Sequence, residues 1–163
     1  MIIYALGFDV STGPLTRLEV RGQEDQTLGE HWEKHLETYL GIMVEKFPNM
    51  FMMAGPQIPF ANFPVVLDNT ADWIGQCLGH MQKKGHKVGE PKREAMDKWG
   101  KLLSDIFEMT VLPEAAKKAG SWYVGANVPG KPVRPLFWFG GVASYFQNCD
   151  AELNAGFPSL QMS

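Results

Sequence analysis

The chain has 163 residues, of which 45% are hydrophobic and 20% charged, so it fits one globular domain or a large part of one and is too apolar to be disordered. Its net charge of −3 argues against nucleic acid or an anionic membrane surface as a partner, and no segment reaches the ~20 apolar residues of a transmembrane helix. The two cysteines, Cys77 and Cys149, are too few for a disulfide framework and are expected to be buried thiols in a reducing compartment, which predicts a cytoplasmic protein.

The first elements predicted along the chain are strands. The apolar run of residues 1–6, which ends at Gly7, is typical of a strand buried on both faces of a parallel sheet. Such a strand needs partner strands and covering helices from other sequence, which predicts that an N-terminal portion of the protein is missing here. Residues 15–20 and 49–54 have the pattern of two more short strands, and residues 28–34 that of a short helix.

Two long helices give the strongest local signals. Gly85 is a typical end for the first helix, whose predicted apolar face consists of Leu67, Ala71, Ile74, Leu78 and Met81. A second helix is predicted to begin near Pro91 and to stop before Pro113, with an apolar face of the same spacing formed by Ala95, Trp99, Leu102, Ile106 and Met109. Residues 115–118 are expected to add one more turn.

The last third of the chain has a different character. Residues 121–135 are rich in glycine and proline and are predicted to form a loop with little regular structure. A short aromatic strand over 136–139 and a last helix over 142–153 are predicted to follow. Helices, short strands and a long ordered loop together indicate an α/β fragment.

The residues by themselves give no complete catalytic motif. His31 and His35 share a helix face, but the zinc-protease pattern needs a glutamate where Trp32 stands and no third ligand is suitably spaced, so no metal site is predicted. The glycines do not form a dinucleotide fingerprint, and no Walker sequence is present. Two stretches, 55–64 and 121–132, combine glycine and proline with aromatic residues, as binding loops do, and ordinary turns with core aromatics are an equal alternative.

Three stretches resemble motifs of the flavin-dependent Baeyer–Villiger monooxygenases. Residues 5–9 resemble the family's Ala-Thr-Gly-Phe-Asp, with leucine in place of threonine, and residues 47–56 resemble its Pro-Asn-Leu-Phe-Met…Gly-Pro segment. Residues 121–131 match its Ser-Trp-Tyr-x-Gly-Ala-Asn-Ile-Pro-Gly-Lys loop almost letter for letter, and this match is the specific one. The resemblance runs along the whole of 1–163 and implies an α/β fold: the C-terminal segment of a flavoprotein with two dinucleotide domains, comprising part of the FAD domain and a cofactor-covering loop.

The resemblance implies an oxidoreductase that uses FAD and NADPH to insert one oxygen atom of O2 into a hydrophobic ketone, giving an ester or lactone. Both glycine-rich fingerprints of the family, its Phe-x-Gly-x-x-x-His-x-x-x-Trp signature and its flavin-side arginine are not found in these 163 residues. The chain alone is therefore expected to be inactive and to hold no catalytic residue. Three alternatives stay open: a non-catalytic chain that pairs with a separate N-terminal polypeptide, a stand-alone ligand-binding module, and a related flavin monooxygenase that oxidises nitrogen or sulfur.

The resemblance also assigns candidate site residues, each by its match to a position in the family. Those that match cofactor contacts in the family are Trp122 and Lys131 of the loop, Asn62 and Phe63 beside the flavin ring, and Gly7 and Asp9 at the junction of the nucleotide domains. Those that match the substrate pocket are Phe60, Ala61, Phe63 and Phe137. Such an aromatic, apolar lining suits a hydrophobic ketone.

Overall fold

The structure, a computed structural model, describes residues 1–4 and 8–163, apart from the side chain of Lys34. Most regular structure in these residues is helical. The α-helices are α1 (Gly13–Thr16), α2 (Leu28–Lys34), α3 (Phe63–Lys84), α4 (Arg93–Glu108), α5 (Leu112–Lys118) and α6 (Val142–Asn154). Two short strands, β1 (Gly89–Pro91) and β2 (Leu160–Met162), and two 3-10 turns, Gln23–Asp25 and Trp122–Val124, complete the set.

The two long predicted helices are confirmed as α3 and α4. The first ends where predicted, because Gly85 takes the left-handed conformation (φ 75°) that closes a helix without a Cβ clash. Each helix buries one face at helical spacing, but in both helices this face differs from the predicted one. Leu78 of α3, Leu102 of α4 and Met109, which directly follows α4, belong to the predicted apolar faces and are exposed, because the core packs against the neighbouring faces that carry Trp73 and Phe107. The buried residues are Val66, Thr70, Trp73, Cys77 and Met81 on α3, and Ala95, Met96, Trp99, Leu103 and Phe107 on α4.

The only pairing of named strands within the described ranges was not predicted. β1 and β2 are antiparallel, with Gly89 opposite Met162 and Pro91 opposite Leu160. Each strand has three residues, which is too short for a period of two to stand out in the sequence. The pairing fastens residues 160–162 to the segment that leads into α4.

Three predicted strands are wrong. Residues 1–4 have no regular structure and are exposed, because a strand needs a neighbouring strand and no described residue pairs with them; the rest of this predicted strand, with Gly7, lies outside the described residues. Residues 15–20 instead follow Pro14 into α1 and a turn, since proline is pre-organised for the first turn of a helix. Residues 49–54 form turns and irregular backbone.

The main core lies between α3, α4 and α6. The indole of Trp99 stacks on that of Trp138, with ring centroids 4.8 Å apart and planes 7° from parallel. Both cysteines lie in this core as free thiols, which confirms the prediction that they are buried. Burial raises the pKa of the Cys77 thiol to about 11 and that of Cys149 to about 12.

The start of α2 is fixed by a reciprocal cap. The Thr27 hydroxyl accepts a hydrogen bond from the Glu30 backbone N–H at 3.2 Å, and the Glu30 carboxylate accepts one from the Thr27 N–H at 2.8 Å. We expect Thr27→Ala to lower the free energy of unfolding by about 0.5–2 kcal/mol, measured by urea titration. Thr27→Ser keeps the hydroxyl and should retain most of that stability; equal losses in the two variants would contradict the role of the cap.

Candidate functional site

The loop 121–132 is folded on itself by short-range hydrogen bonds. Ser121 begins it: its hydroxyl accepts from the Tyr123 N–H at 3.2 Å, and its carbonyl accepts from the Ala126 N–H at 3.1 Å. Gly125 turns the chain with φ 75°, in the left-handed region that favours glycine. The predicted loop is therefore an ordered unit whose conformation follows from its glycine and serine positions.

A short parallel pairing brings a second segment beside the loop. Pro59 and Trp138 form an isolated parallel bridge, and the Trp138 N–H donates to the Ile58 carbonyl at 2.9 Å. The Phe60 N–H in turn donates to the Trp138 carbonyl at 3.3 Å. The predicted aromatic strand over 136–139 is thus reduced to one bridge, and this bridge places Phe60 beside Phe137.

Four aromatic rings from three segments of the sequence meet at this point; we refer to Phe60, Trp122, Tyr123 and Phe137 as the aromatic cluster. Ring centroids are 5.6 Å apart for Phe60 and Phe137, 5.3 Å for Trp122 and Phe137, and 4.9 Å for Phe60 and Tyr123. Phe60 and Trp122 remain 49% and 38% exposed, whereas Phe137 is 5% exposed. The cluster therefore presents two partly exposed rings, Phe60 and Trp122, that pack against the buried ring of Phe137.

The segment that follows Phe60 leads into the N-terminus of α3. Ala61 is exposed, and Asn62 is the first residue outside the helix but does not cap it with its side chain. Phe63 opens the helix and is 41% exposed. The uncapped backbone N–H groups of this 22-residue helix carry partial positive charge, which suits an electron-rich ligand.

On the other side of the loop, Lys131 contacts Asp9. The Lys131 ammonium donates to an Asp9 carboxylate oxygen and to the Thr12 hydroxyl, both at 2.5 Å. Burial acts to raise the pKa of Asp9, but the hydrogen bond and charge of Lys131, with help from Gly13 and Thr12, outweigh it and leave the pKa below its ordinary value. Two residues predicted separately are thus partners; Gly7, predicted with Asp9, lies outside the described residues.

Four residues of this region were not singled out from the sequence. Tyr123 and Asn127 lie inside the matched loop motif, which was a signal for both. Tyr123 joins the aromatic cluster, and the side-chain amide of Asn127 donates to the Phe8 carbonyl at 3.2 Å. Thr12 and Arg134 carried no signal, because their contacts join residues far apart in sequence; the Arg134 guanidinium donates to the Trp32 carbonyl at 2.8 Å.

Two further observations bound the chemistry of the described residues. Within 1–4 and 8–163, no three His, Cys, Asp or Glu side chains converge as metal ligands would. In the same ranges no helix combines the length and apolar character needed to cross a membrane.

Comparison with known proteins gives several matches along the chain. The acetone monooxygenase (methyl acetate-forming) of Gordonia sp. strain TY-5 is 36% identical over 166 residues, covering 100% of this chain and 30% of the relative. The phenazine N-monooxygenase PhzNO1 of Lysobacter antibioticus is 36% identical over 145 residues, covering 89% and 26%. The cyclohexanone 1,2-monooxygenase of Acinetobacter sp. is 33% identical over 160 residues, covering 96% and 29%. No protein-family model matches the chain.

Solved structures show the same likeness. A closed crystal structure of cyclohexanone monooxygenase superposes with a TM-score of 0.90 at 32% identity, over 98% of this chain and 29% of that one. A crystal structure of OTEMO in complex with FAD and NADP superposes with a TM-score of 0.84 at 27% identity, over 98% and 29%. The chain spans about 30% of the length of the relatives it matches, and its fold is that of the corresponding segment in these flavoproteins.

Proposed function

We propose, from the homology of this chain to a segment of the Baeyer–Villiger monooxygenases, that it works as part of such an enzyme. In this proposal residues 1–163 are the C-terminal segment of the FAD domain, including the cofactor-covering loop 121–132. The complete enzyme uses FAD and NADPH to insert one oxygen atom of O2 into a hydrophobic ketone. The segment covers the cofactors and lines the pocket, and by itself it is inactive.

The observation that carries the proposal is the aromatic cluster. Trp122 and Tyr123 lie in the loop motif, Phe60 and Phe137 match pocket positions of the same family, and the four rings meet in space. The half-exposed faces of Phe60 and Trp122 above the buried Phe137 form an apolar surface that suits a hydrophobic ketone. Trp122 also carries an indole N–H, which can donate to a polar group of the nicotinamide cofactor.

The N-terminus of α3 fits a flavin ring. Bound FAD supplies the redox chemistry with O2, and the protein supplies binding, orientation and exclusion of water. The backbone around Asn62 and Phe63 is exposed, and the uncapped helix end places partial positive charge there. An isoalloxazine ring gains negative charge on reduction, so these two residues are suitable positions for contact with it.

Exposed apolar side chains support the part of the proposal that requires more protein. Ile2 and Leu18 are 79% and 67% exposed, and Val10 is also exposed. An apolar groove of about 420 Å³ runs past Val10 and Leu18 toward Met53. Large apolar patches are typical of surfaces that another part of a protein covers. The proposed cover is the N-terminal portion of the same enzyme.

The test compares two proteins: the 163-residue chain and the same chain extended by its upstream coding sequence. We expect the extended protein to hold FAD, to oxidise NADPH and to convert a ketone to an ester, and the short chain to do none of these. Stoichiometric FAD and ketone turnover in the short chain would overturn the assignment of a dependent segment. Activity that appears only on mixing it with a separate flavin-domain polypeptide would identify the two-chain alternative.

A second candidate function is oxidation of nitrogen, favoured by the 36% identity to a phenazine N-monooxygenase. A substrate panel with cyclic ketones and aromatic nitrogen heterocycles decides between them by product: an ester or lactone against an N-oxide.

The proposal also includes a cytoplasmic location, where buried thiols such as Cys77 stay reduced.

A further inference from the structure

We propose that Lys131 and Asp9 form a latch that fixes the position of the loop 121–132, and that both act as positioning residues rather than as cofactor ligands. This inference rests on the proposed function, since it assigns a cause to the placement of Trp122 over the site. It differs from the expectation raised by the family motifs, in which both residues match cofactor-binding positions.

The first support is that two of the three N–H groups of the Lys131 ammonium already have partners. It lies 2.5 Å from an oxygen of Asp9 and 2.5 Å from the Thr12 hydroxyl, which in turn donates to Asp9 at 3.4 Å. The Lys131 side chain is only 13% exposed and that of Asp9 26%. Because two of its N–H groups are bound and little of the side chain is exposed, the geometry of this amine favours an ion pair within the protein over contact with a phosphate group.

The second support is local geometry on the Asp9 side. A Cβ added to Gly13 would lie 2.8 Å from the Asp9 Cβ, closer than such atoms approach, so only glycine lets the Asp9 side chain sit where Lys131 reaches it. Asn127 adds a second attachment of the loop to the same segment through the Phe8 carbonyl, at 3.2 Å. The loop is thus fixed at two points to residues 8–13.

The third support is a continuous path from the latch to the indole. The backbone N–H of Lys131 donates to the Val128 carbonyl at 3.2 Å. The backbone N–H of Val128 donates in the same way to the Gly125 carbonyl, and that of Gly125 to the Trp122 carbonyl, each also at 3.2 Å. These linked turns connect the two ends of the loop through backbone hydrogen bonds. An anchor at Lys131 therefore restrains Trp122 at the opposite end.

The experiment is a double-mutant cycle in the complete flavoprotein with Lys131→Met, Asp9→Asn and both together. Lys118→Met is the matched control, because Lys118 forms only an exposed pair with Glu114. Hydrogen exchange of the amides between Trp122 and Lys131 is measured beside the ratio of product to NADPH consumed. Each latch variant should speed exchange about tenfold, because it loses a hydrogen bond between charged groups. The double variant should speed exchange no more than either single variant does.

The outcomes separate the alternatives. Additive effects on exchange would show that the two residues act independently and would overturn the latch. Wild-type exchange with a raised KM for NADPH in Lys131→Met alone would also overturn it and would make Lys131 a cofactor ligand. Loss of folding in Lys131→Met leaves the test to Asp9→Asn, which keeps the shape of the side chain, and wild-type loop exchange in that variant would also overturn the latch. If exchange is coupled as expected but the wild-type protein oxidises no ketone, the latch stands and the proposed function fails.

Discussion

Replacing Trp122 by alanine in the complete flavoprotein is expected to lower the yield of ester per NADPH consumed by roughly tenfold, with hydrogen peroxide released instead. A lost contact worth about 1.4 kcal/mol corresponds to that factor. The indole packs edge-on against Phe137 at 5.3 Å and against Phe60 at 6.0 Å, and 38% of the residue remains exposed to meet a ligand. Removing it takes away both a flat face and an N–H donor from the loop that is proposed to cover the cofactor.

The structure also defines the control for this variant. Trp122→Phe keeps an aromatic ring against Phe137 and loses the N–H group, so it should retain more loop order than Trp122→Ala while still binding NADPH less tightly. Because Trp122 is more than a third exposed, neither change should unfold the protein. Wild-type coupling and wild-type NADPH affinity in Trp122→Ala protein that retains FAD would contradict the assignment.

The parts of the fold that the sequence predicts correctly are those with repeated local signals. α3 shows an apolar period over several turns and is closed by Gly85, and α2 forms over the predicted residues 28–34. The failures are strands. Residues 15–20 alternate as a strand would, but alternation decides nothing without a partner, and Pro14 starts a helix there.

For the candidate site, too, the sequence predicts some features and not others. The motif resemblance selects Trp122 and Lys131 as residues of interest, because a nearly complete match in a glycine-rich loop is specific. It does not say that Lys131 contacts Asp9, since these residues are 122 positions apart and nothing in either segment encodes the other. It also leaves open which aromatic residues are exposed, a property that depends on the bridge between Pro59 and Trp138.

That difference in exposure separates two residues that the family motifs treat alike. Phe137 is 5% exposed and packs in a buried cluster with Leu136 and Trp32, whereas Phe63 is 41% exposed at the start of α3. We expect Phe137→Ala to lower the free energy of unfolding by about 3–5 kcal/mol, the usual cost of removing a buried ring. Phe63→Ala should cost far less, because its ring already faces solvent.

The effect on ketone preference should be larger for Phe63→Ala than for Phe137→Ala, the reverse of the order expected for stability. Phe63→Ala removes an exposed ring beside the proposed flavin and substrate positions, so it should change ketone preference while FAD stays bound. Phe137→Ala should act first on stability and on the support of Trp122. A thermal melt and a ketone panel on both variants test this: equal stability losses would show that Phe63 is also a packing residue. An unchanged ketone profile in stable, FAD-containing Phe63→Ala protein would remove that residue from the pocket, leaving Phe60 and Trp122 as the rings that face the substrate.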